Sequence, residues 1–207
     1  MPGLAGGSLS TWTNTDGSCW LDWFVREVSE IRLFAFGYNA SEVYLKDEEE
    51  QGHSDGRTFA FAEDLCNALR DVPGRVGDPK PLTLLGHGVG GIIIKNALVL
   101  SHARKEVYGD IFLDTHHVIF LDTPHHGLDT KLWQAVYGKL ASAHAEAQFD
   151  LWTKGLTDLG KFFGGISRKF AITSVYASLP IQSDAGPVTV RRTAKITPLV
   201  LQWLSRS

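Results

Sequence analysis

The chain has 207 residues, 43% of them hydrophobic, and a formal net charge of −3. That is enough to close one substantial core, so a single domain over residues 1–207 is expected. Lys and Arg are dispersed and give no electrostatic footprint for nucleic acid, which is excluded as a partner. No apolar run reaches the roughly 18 residues of a membrane span, and Met1 to Ser10 lacks the charged start and apolar stretch of a signal peptide. The expectation is a cytoplasmic protein with no membrane span. Cys19 and Cys66 have no paired metal spacing and read as reduced thiols, with a disulfide between them as the alternative.

In chain order, the apolar periodicity predicts a helix over Cys19–Val28 and a strand over Ile31–Phe36. Lys46–Arg57 is polar, acidic and glycine-containing, and reads as an exposed loop. A helix over Thr58–Asp71 follows, then a short buried strand at Leu82–Leu85 and a helix over Val89–Arg104. Val118–Leu121 is the next strand, followed by helices over Lys131–Leu140 and His144–Phe163. Strands at Phe170–Val175 and Val188–Arg191 close the chain. Such alternation implies right-handed crossovers and an α/β layer fold with a mostly parallel sheet. Its site should lie at the carboxyl ends of the strands, where Gly37-Tyr38, Gly88 and Asp122-Thr123-Pro124-His125 converge.

Gly86-His87-Gly88-Val89-Gly90-Gly91 has the frame G-x-S-x-G of a serine-hydrolase nucleophile elbow, in which small flanking residues allow a sharp strand-to-helix turn. Glycine holds the nucleophile's place, and glycine has no atom that attacks a carbonyl. Gly86, Gly88 and Gly91 also match G-x-G-x-x-G. Dinucleotide binding would need an acidic residue ending a second strand about 20 residues on, and Asp110 and Asp114 near that distance end no apolar strand. Eight histidines invite a metal reading. Adjacent pairs such as His116-His117 point to opposite faces of a strand, and no H-E-x-x-H spacing accompanies them, so neither metal nor cofactor is expected.

The segment from His117 to Gly127 contains Asp122-Thr123-Pro124-His125-His126-Gly127, which resembles the G-T-P-H-x-G loop of lipase-like serine esterases, domains often fused to fungal NLR-type receptors. Ile94-Lys95-Asn96-Ala97-Leu98 is similar to the family's V-K-x-A-L after the elbow. Trp20-Leu21 with Arg32–Tyr38, Gly3–Gly7 with Thr11-Trp12, Ser174–Tyr176 and Val188–Val190 extend the resemblance in the right order along most of the chain. It implies a three-layer α/β-hydrolase-like fold, and the departures are informative. The family opens with a strand ending in His-Gly, whereas this chain opens at Met1-Pro2-Gly3, so an N-terminally truncated version of the fold is expected. Ala177 stands where an acidic residue is common, and no histidine occurs from Arg191 to Ser207, where the base belongs.

Four residues are candidates for chemistry: His87, Gly88, Asp122 and His125. By the resemblance His87 helps hold the elbow and His125 is structural. Asp122 either caps the turn after its strand or serves acid–base work beside a histidine. Tyr38, Val89, Trp133, Tyr137 and Trp152 are the expected lining for an apolar small-molecule ligand, while Trp20 and Trp23 are expected in the core. The leading reading is a non-hydrolytic descendant of a serine hydrolase, with a cyclase or isomerase acting by substrate positioning as its sharpest form. The alternatives are a pseudo-hydrolase interaction module, forming a homodimer through an exposed sheet edge, and an esterase inactivated by an engineered Ser-to-Gly change.

Overall fold

The computed structural model describes residues 1, 7–39, 58–73, 80–125, 144–176, 181–183 and 186–188. The expected loop Lys46–Arg57 and helix Lys131–Leu140 lie outside the described residues, as do Ala177 and the segment from Arg191 to Ser207.

Three parallel strands form the central sheet in the order β1 (Leu82–His87), β2 (Thr115–Leu121), β3 (Ala171–Val175). The register sets Leu84 against Val118 and Gly86 against Phe120, and Phe120 against Ser174. Alternation along β1 and β2 buries Leu84, Gly86, Val118 and Phe120 on one face, as the period-2 geometry of a strand demands. Helix α3 (Val89–Ala103) covers that face. It is apolar all round, and Ile92, Ile93 and Ile94 are all buried, which is the signature of a helix enclosed by other elements. Around it lie α2 (Thr58–Arg70), α4 (Lys105–Asp114) and α5 (His144–Ile166). The short helix α1 (Trp20–Glu27) stands apart from this cluster.

Polar contacts hold these helices in place. The Arg104 guanidinium donates to Glu63 Oε1 at 2.7 Å, and the Tyr108 hydroxyl donates to Asn67 Oδ1 at 3.0 Å, joining α2 to α4 and the turn before it. Cys66 lies buried against α3 with its thiol 3.6 Å from the Ala97 carbonyl oxygen. Both cysteines are free thiols, so the disulfide alternative does not hold.

The helix approaches the sheet closely because two glycines face each other there. A Cβ on Gly86 would come 2.7 Å from the Gly91 amide nitrogen, and a Cβ on Gly91 would collide with Thr123 Oγ1 and lie 2.9 Å from Phe120 Cδ1. Since Gly86 is blocked by backbone rather than by a side chain that can rotate, Gly86→Ala should lower the unfolding free energy by about 1–3 kcal/mol. Urea denaturation measures this; a loss under about 0.5 kcal/mol would mean that the helix can slide away from the sheet without penalty.

Several elements differ from the sequence expectation. Ile31–Phe36 joins no ladder: Leu33 and Phe34 are exposed, and Arg32 donates to the Pro73 carbonyl at 2.7 Å with its guanidinium 5.2 Å from the Phe34 ring centre. Alternation marks a strand only where a neighbouring strand offers hydrogen bonds, and none does so among the described residues. Helix α4 was not anticipated, although Tyr108 and Ile111 are spaced for one face of a helix. Near the chain's end, β4 (Ile181–Ser183) pairs antiparallel with β5 (Gly186–Val188). Val188, the expected start of a strand, therefore ends one, and residues 189–191 lie outside the described residues.

Candidate active site

The carboxyl ends of β1, β2 and β3 are stitched together by two backbone hydrogen bonds. The Gly88 N–H donates to the Leu121 carbonyl at 2.8 Å, and the Asp122 N–H donates to the Val175 carbonyl at 2.8 Å. Gly88 itself has φ 55° and ψ −124°, a conformation that costs glycine little and strains any residue with a Cβ. Its carbonyl accepts from the Gly91 N–H at 3.1 Å, which closes the turn into α3. Asp122, with φ 48°, sits in the left-handed region that aspartate tolerates better than most residues.

His87, Gly88 and Asp122 are thus brought to one edge of the sheet. The His87 ring is half-buried, its Nδ1 is buried with no hydrogen-bond partner, and it meets Trp12 edge-on with ring centres 6.4 Å apart. Burial pushes its pKa below the usual histidine value; the Asp122 carboxylate opposes that shift and the Met1 amino group adds to it. Histidine in this setting is neutral at pH 7 and able to accept a proton. Met1 lies beside β1: its amino group donates to the Leu85 carbonyl at 2.8 Å and its carbonyl accepts from the His87 N–H at 3.1 Å. That pattern is a one-residue parallel pairing opposite Gly86.

The other expected residues are placed differently. The His125 ring packs edge-on against Phe120 with centres 4.8 Å apart, and the His125 backbone N–H donates to the Thr123 carbonyl at 2.9 Å. Val89 is only 3% exposed and belongs to the core. Tyr38 packs on Phe61 with ring centres 5.1 Å apart, against the core. Trp133 and Tyr137 lie outside the described residues, and Trp152 falls on α5. Trp20 and Trp23 are 38% and 60% exposed, contrary to their expected place in the core, because α1 packs with its leucine and leaves its indoles outside. Two residues to which sequence reasoning assigned no role of their own stand at the site. Trp12 borders His87, and Thr123 is buried beside Gly91 with its hydroxyl unpartnered. Among the described residues no three His, Cys, Asp or Glu side chains converge as metal ligands. His116 is exposed, and His117 Nε2 lies 3.0 Å from Thr173 Oγ1.

No family model matches the chain. Protein SERAC1 of Bos taurus is 27% identical over 143 residues, covering 60% of this chain and 21% of that protein. Its Homo sapiens counterpart is 25% identical over the same extent, so the chain spans about a fifth of the length of these curated relatives. Among solved structures, the mature lipase BlEst2 of Bacillus licheniformis gives a TM-score of 0.40 at 21% identity, covering 59% of this chain and 49% of that one. A lipase-esterase related protein from Clostridium acetobutylicum gives 0.32 at 11% identity over 63% and 70%. A parallel sheet, a strand-to-helix turn on a positive-φ glycine and a buried helix behind it make an α/β fold whose turn has the backbone form of a nucleophile elbow.

Proposed function

We propose that this domain is a non-hydrolytic member of the lipase/esterase-like group, one that binds a small molecule at the elbow and acts on it by positioning. The observation that carries this reading is Gly88: the turn keeps the backbone geometry of a nucleophile elbow while its side chain is a hydrogen atom. Acyl transfer through a covalent intermediate cannot begin at such a residue. What remains is a neutral, desolvated imidazole at His87, a carboxylate at Asp122 and the first-turn N–H groups of α3. Those groups suit proton shuttling or ring closure on a ligand held in a reactive shape, which needs no nucleophile from the protein.

The test compares the parent chain with Gly88→Ser on short- and long-chain p-nitrophenyl esters. Neither form should turn over, because a serine alone would lack a positioned acid and base. Turnover in the serine form would overturn the reading and make Gly88 the only lesion of an intact esterase. A second reading, an interaction module that pairs with another copy, draws on β1 being an edge strand whose outer side meets only Met1 among the described residues. Sedimentation of the chain as a monomer at high concentration would remove it.

A further inference from the structure

A groove lies beside the elbow, and its described lining comes from one short segment. It has a volume of about 500 Å³, and its walls include Thr11, Trp12, Asn14, Ser18, Trp20 and Trp23. None of its described lining residues is charged. The segment is held in shape before any ligand arrives. Asn14 N–H donates to the Ser18 carbonyl at 2.8 Å, Gly17 N–H donates to the Asn14 carbonyl at 3.0 Å, and Thr13 bridges Cys19 across the turn. Gly17 makes the turn possible with φ 84°.

The polar groups on these walls are set for hydrogen bonds. Asn14 Oδ1 is occupied by the Thr15 N–H at 2.9 Å, which leaves its NH₂ group to donate. The Ser18 hydroxyl gives its proton to Asp16 at 2.6 Å and so presents lone pairs. Thr11 Oγ1 is buried with no partner. Beside them stand two indoles, Trp20 and Trp23, more than a third exposed on one side of α1. Exposed indoles beside side-chain groups able to hydrogen-bond are the combination that lines small-molecule sites.

We propose that this groove binds a neutral sugar, with a pyranose ring stacked on the indole of Trp23 or Trp20 and its hydroxyls paired with Asn14 and Ser18. Three observations select that class. The described walls carry no charged side chain to pair with phosphates, carboxylates or cationic ligands. An acyl chain would cover the hydroxyls and amide without pairing them, which is unfavourable. A flat nucleobase prefers two parallel aromatic faces, whereas Trp12 and Trp20 meet at 81° with centres 5.8 Å apart. A pyranose has an apolar C–H face and a polar rim, and this groove offers one of each. The proposal concerns a site separate from Gly88 and does not depend on what the elbow does.

The test titrates the intact chain with cellotetraose, maltotetraose and chitotetraose, following tryptophan fluorescence and the indole N–H resonances. At least one tetrasaccharide should saturate the signal, and Trp23→Ala should weaken its affinity about tenfold or more. Because Trp23 is 60% exposed, that variant should keep its fold; Asn14→Ala provides a second, milder loss, and Phe162→Ala on exposed α5 surface should change nothing. Three results would overturn the proposal: no saturation by any of the three sugars, saturation that Trp23→Ala leaves unchanged, or saturation by decanoate or adenosine in place of the sugars.

Discussion

Phe120→Ala is expected to lower the unfolding free energy by about 3–5 kcal/mol, the range for deleting a large buried aromatic ring. Phe120 is 1% exposed on β2 and is the point where several elements meet. Its ring meets His125 at 4.8 Å and Phe163 of α5 at 6.0 Å, both edge-on, and the Lys95 ammonium of α3 lies 5.7 Å from its centre. Removing it would open a cavity that the glycine-packed junction of β1 and α3 cannot collapse into, since Gly86 and Gly91 are already at contact. Urea denaturation of the two chains measures the effect. Phe162→Ala, one residue from Phe163 but 66% exposed, is the control and should fall within about 0.5 kcal/mol of the parent. A Phe120→Ala loss under about 1 kcal/mol would show that Phe120 is not the keystone of this contact.

The second large effect has the opposite sign. Lys95 is 5% exposed on α3, with its ammonium 5.4 Å from the Phe163 ring centre and 5.7 Å from that of Phe120, and burial pushes its pKa from 10.5 down to about 8. Between those two values the unfolded chain holds this proton more tightly than the folded one, so stability rises as pH climbs from about 8 towards 10.5. Below pH 8 the full penalty is present, roughly 3 kcal/mol for a depression of this size, offset by about 1–2 kcal/mol of attraction to the two rings. Lys95→Met should therefore stabilise the chain by about 1–2 kcal/mol at pH 7, keeping the packing while removing the charge. That advantage should shrink as pH rises through the window. Equal stability of the two chains at pH 7 would mean that the ammonium reaches solvent in the folded state.

The parts of the fold that were legible in the sequence are those where local pattern and tertiary context agree. The run from Leu82 to Ala103 reads as strand, glycine turn and helix, and folds so, because its glycines sit where the backbone must pass closely and its isoleucines where every side is covered. Ile31–Phe36 reads equally well as a strand but makes no ladder, since pairing depends on a neighbour that no local pattern encodes. Trp20 and Trp23 were misplaced for a related reason. Size and apolarity predict burial only when the rest of the chain supplies a surface to bury against, and α1 leaves both indoles outside. Within the site, Gly88 and Asp122 were visible as strand-end residues, whereas the neighbourhood of Trp12 and His87 is formed by residues 75 positions apart and has no sequence signature. Lys95 stood in a recognisable motif, yet nothing local announced that its charge is buried.

The dihedral angles of Gly88 bear on how such a chain can change over time. A residue with a Cβ held at φ 55° and ψ −124° stores about 1–3 kcal/mol of backbone strain, and in a protein of ordinary marginal stability that is a large share of the whole. With glycine at the turn the strain is absent, and that margin can absorb destabilising substitutions elsewhere in the chain. Where such substitutions use the margin up, a side chain introduced at residue 88 would load the turn in a background unable to bear it. The unstrained turn thus couples residue 88 to the rest of the fold: how well the chain tolerates a Cβ there depends on how much stability its other residues leave in reserve.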